Sequence, residues 1–255
     1  MQDAPAPWAF LRPEGGNKKM PTAILVDGGY FVKRFRSIEP HNRFNSRRAA
    51  ECMRRWALAH LVFRGAGQKK RELYRIFFYD CPPLMKKMHN PITKNAIDFG
   101  KSQEAKFRME LHDALKKHRK TALRLGHLSS DVQWAIKPAK IKDLLTGRLK
   151  LEELTGDDVM LDIRQKGVDM RIGVDVSSLV FKRQVDQIVL IAGDAAFVPA
   201  AKQARREGID FVLDPMWRPI PPGLEEHIDG LRSTCPKARR PPVVQEPVGR
   251  AQGPT

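Results

Sequence analysis

Residues 188–194 read IVLIAGD, a run of apolar and β-branched residues that ends in glycine and aspartate. Three other runs share this form, apolar nearly throughout and closed by an aspartate: AILVD at 23–27, RIFFYD at 75–80 and FVLD at 211–214. Continuous rather than alternating hydrophobicity is typical of strands in a parallel sheet that is covered on both faces. We therefore predict that these four segments are strands of one mainly parallel sheet.

Helical patterns separate the four runs. One helix is predicted from Ser46, a candidate N-cap, to about residue 63, and a second spans about 103–125. A third runs from 169 to 182, and the fourth begins near Pro199 and ends at Gly208. Alternating strands and helices predict the α/β class, with helices on both faces of the sheet.

The chain divides into three parts by composition. Residues 1–20 are rich in proline, glycine and polar residues and are predicted to form a flexible lead. Residues 21–233 form one domain, and 234–255 form a basic, proline-rich tail that we expect to be disordered. Within the domain, residues 131–165 are the least regular, with VQWAIKP a candidate strand and IKDLL and KLEEL candidate short helices.

Charge is the strongest signal in the composition. The 46 lysines and arginines exceed the 29 acidic residues, which gives a net charge of +17. Such a balance attracts polyanions, and we expect RNA, single-stranded or structured, as the partner. Solubility, or charge confined to the tails, is the alternative explanation. No apolar stretch is long enough for a membrane span, no secretory signal is evident, and the three cysteines are widely spaced, so we expect a cytoplasmic protein.

Two strand-terminal aspartates are the first candidates for chemistry. Asp27 follows the first strand and precedes two glycines, and Asp194 follows Gly193. Because ligands bind at the carboxyl ends of parallel strands, both are expected on one rim, where their repulsion would favour a hard divalent cation. Each could instead be an ordinary cap or turn residue. Asp80 precedes Cys-Pro-Pro and Asp214 precedes a proline, so a turn explains both adequately.

Asp169 is a third candidate. It lies three residues before Ile172, which begins an apolar stripe that continues through Val176 and Leu179. A carboxylate on a buried stripe is costly unless it is capped, paired or bound to a metal, so a metal ligand and a helix cap remain alternatives. Asp175, at the edge of the stripe, is the second choice.

Several separated motifs carry a family resemblance. QKGVDMRIGVDVSSLVFKRQVDQIVLIAGDAAFVPAAKQARREGIDFVLDP at 165–215 closely resembles the second half of bacterial NYN-domain proteins, which are PIN-like nucleases. VDGGYF at 26–31 resembles their first motif and RIFFYDCPP at 75–83 their second strand. The resemblance covers about 22–232. It implies a Rossmann-like PIN-type fold and a metal-dependent endoribonuclease, in which Asp27, Asp169 and Asp194 hold one or two Mg²⁺ or Mn²⁺ ions.

Two positions depart from the family pattern. The third motif is usually GDSDF, but this chain has GDAAF, so Ala196 stands where a second acid is expected. Either part of the metal site has been lost, or the acid has been replaced to trap a substrate. The family often has asparagine three residues after the first aspartate, where this chain has Tyr30.

Basic residues follow the Asp27 motif closely. We expect Lys33, Arg34 and Arg36 to bind phosphate, because they are near Asp27 in sequence. Aromatic residues between them, Tyr30, Phe31 and Phe35, suit stacking of unpaired bases.

Two other functions remain open. The first is a catalytically silent RNA-binding or regulatory module on the same fold, which Ala196 favours. The second is a scaffolding role in a homo-oligomer or larger complex, through the helices at 46–63 and 101–125.

Overall fold

The computed structural model describes residues 21–62 and 70–238. The predicted lead at 1–20 and the end of the predicted tail, 239–255, lie outside these residues. The strands are β1 (Thr22–Asp27), β2 (Leu73–Asp80), β3 (Lys87–His89), β4 (Ala96–Asp98), β5 (Thr121–Leu125), β6 (His127–Leu128), β7 (Gln133–Ile136), β8 (Val159–Asp162), β9 (Gln165–Lys166), β10 (Gln187–Ile191), β11 (Asp210–Asp214) and β12 (Gly230–Leu231). The helices are α1 (Gly28–Ile38), α2 (Ser46–Ala59), α3 (Gln103–Lys116), α4 (Pro138–Leu145), α5 (Val168–Phe181), α6 (Val198–Arg206) and α7 (Pro222–Glu225).

Six strands form the central sheet, in the order β12-β11-β10-β1-β2-β5, and every neighbouring pair is parallel. The chain starts in the middle at β1, extends the sheet on one side with β2 and β5, and returns to build the other side from β10. The strand order therefore reverses between β1 and β10, which is the topological switch point where open α/β sheets bind ligands. The predicted α/β fold, with helices covering a parallel sheet, is confirmed.

Alternate residues of β1 face two separate cores. Ala23 and Leu25 pack with the inner sides of α5 and α6, whereas Ile24 and Val26 pack with α1, α2 and α3. All four β1 side chains are 0% exposed. Burial on both faces explains the continuous apolar run in the sequence, because neither face of the strand is exposed to water.

The predicted helix at about 103–125 is wrong over its last third. The helix ends at Lys116, and Thr121–Leu125 forms β5 beside β2. Lys120 adopts a left-handed backbone conformation, with a φ of 58°, which turns the chain out of the helix. The half-buried burial pattern of β5 suits an edge strand and lacks the apolar run that identified the other four.

Smaller details of the prediction also change. Ser46 is the first residue of α2, and Asn45 is its N-cap, with its side chain accepting a hydrogen bond from the Arg48 amide. The irregular stretch forms β7 and α4 as predicted, whereas KLEEL forms only a short 3₁₀ turn. The domain boundary at 233 falls too early, because Cys235 is 4% exposed and its carbonyl accepts a hydrogen bond from the Trp217 indole.

No helix in residues 21–62 or 70–238 is long and apolar enough to cross a membrane.

Candidate active-site cleft

An open cleft of about 550 Å³ lies at the carboxyl end of the sheet, beside the switch point. Asp27 is the last residue of β1, and Asp194 comes three residues after the end of β10, the neighbouring strand. Both carboxylates line the cleft, together with basic and small residues: Gly29, Tyr30, Lys33, Arg34, Ser37, Gly193, Arg218 and Pro219.

Asp27 begins α1 as well as ending β1. Its Oδ1 accepts a hydrogen bond of 3.0 Å from the Tyr30 amide and so caps the helix. The chain can turn this tightly only because residue 28 is glycine: a Cβ there would lie 2.5 Å from the Tyr79 carbonyl oxygen. Gly193 is required for the same reason, since a Cβ would stand 2.6 Å from the Tyr30 ring. The DGG and AGD motifs therefore fit against each other across the switch point.

The prediction that Asp169 lies on the buried stripe of α5 is wrong. Val168 and Ile172 occupy the buried face, whereas Asp169 is exposed in the first turn. The two buried residues are four apart and so share one face of the helix. Asp169 follows Val168 directly, so its side chain points away from that face. Asp169 is not the helix cap either, because that position is held by Gly167, whose φ is 78°.

The candidate carboxylates repel one another in two pairs, Asp27 with Asp169 and Asp169 with Asp194. Burial raises the pKa of Asp27 to about 6. The hydrogen bond from the Tyr30 amide acts to lower this pKa, and the charge of Asp169 acts to raise it. The pKa of Asp169 is also raised, by partial desolvation and then by the charge of Asp194. None of the three forms an ion pair with a basic side chain in the described part of the chain. Like charges that lie close together without a basic partner are a mark of functional sites.

A divalent cation would relieve this repulsion, and the donor set suits it only in part. Carboxylate oxygens are the ligands that Mg²⁺ and Mn²⁺ prefer. Across residues 21–62 and 70–238, however, no three Asp, Glu, His or Cys side chains come close enough together to hold a metal ion. The arrangement therefore fits an ion that keeps most of its water and contacts one or two carboxylates, as Mg²⁺ commonly does, rather than a closed protein cage.

Ala196 lies beside Asp194 in a short 3₁₀ turn that precedes α6. Its amide donates a 2.9 Å hydrogen bond to Asp194 Oδ1, and its side chain is exposed. An acid at this position would therefore sit on the same exposed turn as Asp194.

The alternative aspartates have other partners. Asp80 is fully buried and bonded to His112 and Arg108, which together hold its pKa below the usual value although burial acts to raise it. Asp175 accepts hydrogen bonds from the Tyr79 hydroxyl and the Arg124 guanidinium. These contacts explain both residues structurally.

The predicted nucleic-acid-binding residues fall into two groups. Lys33 is exposed on the cleft, and Arg34 also lines it while donating two hydrogen bonds to the Met216 carbonyl. Arg36 points elsewhere: its guanidinium pairs with Glu104 and lies over the Phe44 and Phe107 rings.

Two of the three aromatic residues of this segment are buried, and the third, Tyr30, lines the cleft. Phe31 and Phe35 are 0% exposed, so the expectation that they stack on bases is wrong. The Tyr30 ring packs over Gly193, and its hydroxyl donates to the Pro215 carbonyl. Helical periodicity separates these residues, since α1 turns its apolar side to the sheet and leaves Lys33 outside.

Sequence reasoning missed Arg218. It lies on an exposed turn after β11 and faces the cleft that holds Asp27 and Asp194. The two residues before it, Met216 and Trp217, have φ values of 47° and 66°, a costly conformation for large side chains. In the sequence, the Asp-Pro pair before this turn indicates only a chain reversal, and the Trp-Arg-Pro that follows is the one signal that points to Arg218.

A parallel sheet with helices on both faces is consistent with a PIN-like nuclease fold. The sequence model of the NYN domain matches residues 21–216, and the chain belongs to this family, which is part of the PIN-like nuclease superfamily. No curated protein matches the chain. The crystal structure of a Vibrio parahaemolyticus protein of unknown function is similar, with 14% identity, 85% of this chain and 94% of that chain covered, and a TM-score of 0.42; a likeness this weak carries no argument.

Proposed function

We propose that this NYN-domain protein is an endoribonuclease that acts with hydrated Mg²⁺ or Mn²⁺ in the cytoplasm. The observation that supports the proposal is that Asp27 and Asp194 line one cleft at the switch point, with Asp169 close enough for its charge to act on Asp27 and for the charge of Asp194 to act on it. The pKa values of Asp27 and Asp169 are raised, and none of the three carboxylates has a basic partner among the described residues. Maintaining such repulsion destabilises the fold, and a function that needs negative charge at this point explains why it is kept.

Asp27 and Asp194 would hold the ion, with Asp169 close enough to adjust its position or to hold a second one. A divalent ion supplies an activated water and neutralises charge that develops on the phosphate. The chain's own cations would place the RNA: Lys33 and Arg218 are exposed on the cleft, and Arg34 is fixed at its wall by the Met216 carbonyl. A phosphodiester held by these groups lies beside the carboxylates.

Ala196 supports a second candidate function, a module that binds RNA without cleaving it. The alanine offers no ligand at the place where the family has an acid, and the Asp194 carboxylate is partly occupied by the Ala196 amide. Such a module would keep the basic cleft and lose the chemistry.

The deciding experiment is single-turnover cleavage of a labelled RNA pool with Mn²⁺ and with EDTA. We expect slow metal-dependent cleavage by the wild type, on the order of tenfold faster cleavage by Ala196→Asp, and a loss of at least about 100-fold in Asp194→Asn. The asparagine variant keeps the turn, because an amide oxygen can still accept from the Ala196 amide. Asp113→Asn, on the exposed side of α3, is the matched control and should cleave at the wild-type rate.

Two results would decide against a metal-dependent nuclease site in this cleft. Cleavage that persists in EDTA or in Asp194→Asn would place the activity elsewhere. Salt-sensitive RNA binding without cleavage, by both the wild type and Ala196→Asp, would establish the silent module instead.

A further inference from the structure

A second cavity, of about 260 Å³, lies on the other side of Asp27 from the cleft, toward β2 and β5. Its walls come from the end of β2, the start of α3 and the small β-ladders inserted in the domain. The lining residues are Cys81, Pro82, Pro83, Leu84, Phe99, Ser102, Glu104, Ala105, Arg108, Leu128, Ile163 and Gln165. Nothing in the proposed chemistry at the rim uses this cavity.

Gln165 joins the two sites. It lines the second cavity, and its Oε1 lies 3.2 Å from where a Cβ on Gly29 would stand. The same point is 3.4 Å from the Oδ1 of Asp27. Both oxygens border the same point beside Gly29, so a ligand in the cavity that touches the Gln165 amide lies next to the candidate metal site.

The cavity suits a flat apolar ligand with one hydrogen-bonding edge. Prolines and large apolar side chains form most of its surface, with the Phe99 ring among them. The polar groups are already engaged, apart from one: Arg108 pairs with Asp80 and Glu104, and the Ser102 hydroxyl caps α3. The Gln165 amide has no hydrogen bond within residues 21–62 and 70–238, so its donor and acceptor are available to a ligand.

Three exposed lysines lie close in sequence to residues that line the cavity. Lys86, Lys101 and Lys166 are exposed, form no ion pair within the described segments, and lie one or two residues from Leu84, Phe99 and Gln165. Basic residues in the neighbourhood of an apolar pocket favour a ligand that is an aromatic ring attached to phosphates. The volume is below the roughly 300–1,000 Å³ of sites for drug-sized molecules, so it suits a single base.

We infer that this cavity holds the base of the nucleotide next to the phosphodiester at Asp27, and that Gln165 sets which base is preferred. The inference rests on the proposed function for the identity of the neighbouring site. An amide presents a donor and an acceptor side by side, which is the group that proteins use to recognise a base edge. The apolar walls supply stacking that any base can use, so the discrimination is assigned to Gln165.

The test measures binding in EDTA, so that it is independent of cleavage. The full chain is titrated with short oligouridines that carry A, C, G or an abasic site at one position, moved along the strand. At one position along the strand, the sensitive position, we expect an abasic site to weaken binding by about tenfold. At the same position we expect the four bases to give different affinities. Gln165→Ala should make the bases nearly equivalent there, and Gln165→Glu should change their order, because a donor becomes an acceptor.

A second pair of variants tests the cavity itself. Ile163→Trp, at a 40% exposed position on the lining, should fill it and remove the abasic effect. Met160→Trp adds the same bulk to β8 outside the lining, and Gln133→Ala removes an exposed glutamine from β7. Both controls should keep the wild-type pattern.

The outcomes separate the two proposals. The base pocket would be overturned, even if the protein cleaves RNA, by either of two results. The wild type could show no sensitive position, or the sensitive position could be unchanged in both Gln165→Ala and Ile163→Trp. Loss of the sensitive position in these variants supports the pocket even if no cleavage is ever seen. In that case only the nuclease proposal fails.

Discussion

Four strands of the sheet lead to an aspartate at the same rim, and the four side chains have two different environments. The inner strands, β1 and β10, lead to Asp27 and Asp194, which line an open cleft without a basic partner among the described residues. The flanking strands, β2 and β11, end in Asp80 and Asp214, which are 0% and 1% exposed. Each of the flanking pair is bonded to a buried histidine at 2.9 Å: Asp80 to His112 and Asp214 to His60.

One sequence pattern therefore produces two different electrostatic environments. Asp80 is stabilised as an anion by His112 and Arg108, and Asp214 also accepts hydrogen bonds from the Met216 amide and Thr234. Asp27 is held with a raised pKa, close to other carboxylates. The flanking aspartates fix the loops, and the inner ones face the open cleft, where we propose that a metal ion binds.

The largest effect is expected from Asp80→Asn. Removing this charge leaves the largely buried Arg108 guanidinium without its main partner, which should lower the free energy of unfolding by about 3 kcal/mol. Urea denaturation at pH 7 measures the change. Asp113→Asn, in an exposed ion pair with Lys116, should leave the urea midpoint where it is. A wild-type midpoint for Asp80→Asn would remove the distinction between flanking and inner aspartates.

The opposite sign is expected for Asp27→Asn. The asparagine oxygen still caps α1, and the uncompensated charge is gone. Because the pKa of Asp27 is raised to about 6 in the folded state, the wild type loses stability as pH rises from about 4 through 6. We expect the variant to be more stable by about 1–3 kcal/mol at pH 7.5, with the difference disappearing near pH 4.

The measurement is thermal unfolding in EDTA across this pH range, with Asp113→Asn as the matched control. A variant that is less stable than the wild type at pH 7.5 would show that Asp27 has a stabilising partner after all.

A smaller loss is expected from Tyr30→Phe. The tyrosine hydroxyl joins the Asp27 helix to the loop that Asp214 fixes, through the Pro215 carbonyl, so its loss should cost about 1 kcal/mol. Tyr74→Phe, whose hydroxyl bonds Gln184 at the surface, should have a smaller effect on the same urea midpoint. RNA affinity should be unchanged in Tyr30→Phe. A large drop in affinity with normal stability would show that this hydroxyl contacts the RNA.

The smallest effect is expected from Lys33→Ala, a single phosphate contact. The slope of log affinity against log salt should fall by about one unit, because one fewer counterion is released. Arg36→Ala should leave the slope unchanged, since its guanidinium is already paired with Glu104. Fluorescence titrations at several salt concentrations provide both slopes. Equal slopes for wild type and Lys33→Ala would mean that RNA does not enter this cleft.

Some features could be predicted from local patterns. Apolar runs closed by aspartate identified β1, β2, β10 and β11, because strands buried on both faces have little room for polar residues. The edge strand β5 was missed, since it is half exposed and has the mixed composition of a helix end. Arg218 was missed because its position depends on a left-handed turn held by Asp214, which lies on another strand from Asp27.

The sequence by itself determined the fold class and the rim on which the aspartates lie, since strand direction and strand-terminal position are local properties of the chain. Only the tertiary structure decided which aspartates have a buried histidine or arginine partner and which face the cleft without one. That choice depends on His60, His112 and Arg108, which come from helical segments distant in sequence from the aspartates they reach. The tertiary structure also decided the position of Gln165, which is far from Asp27 in sequence and is brought beside Gly29 by the ladder of β6 and β9.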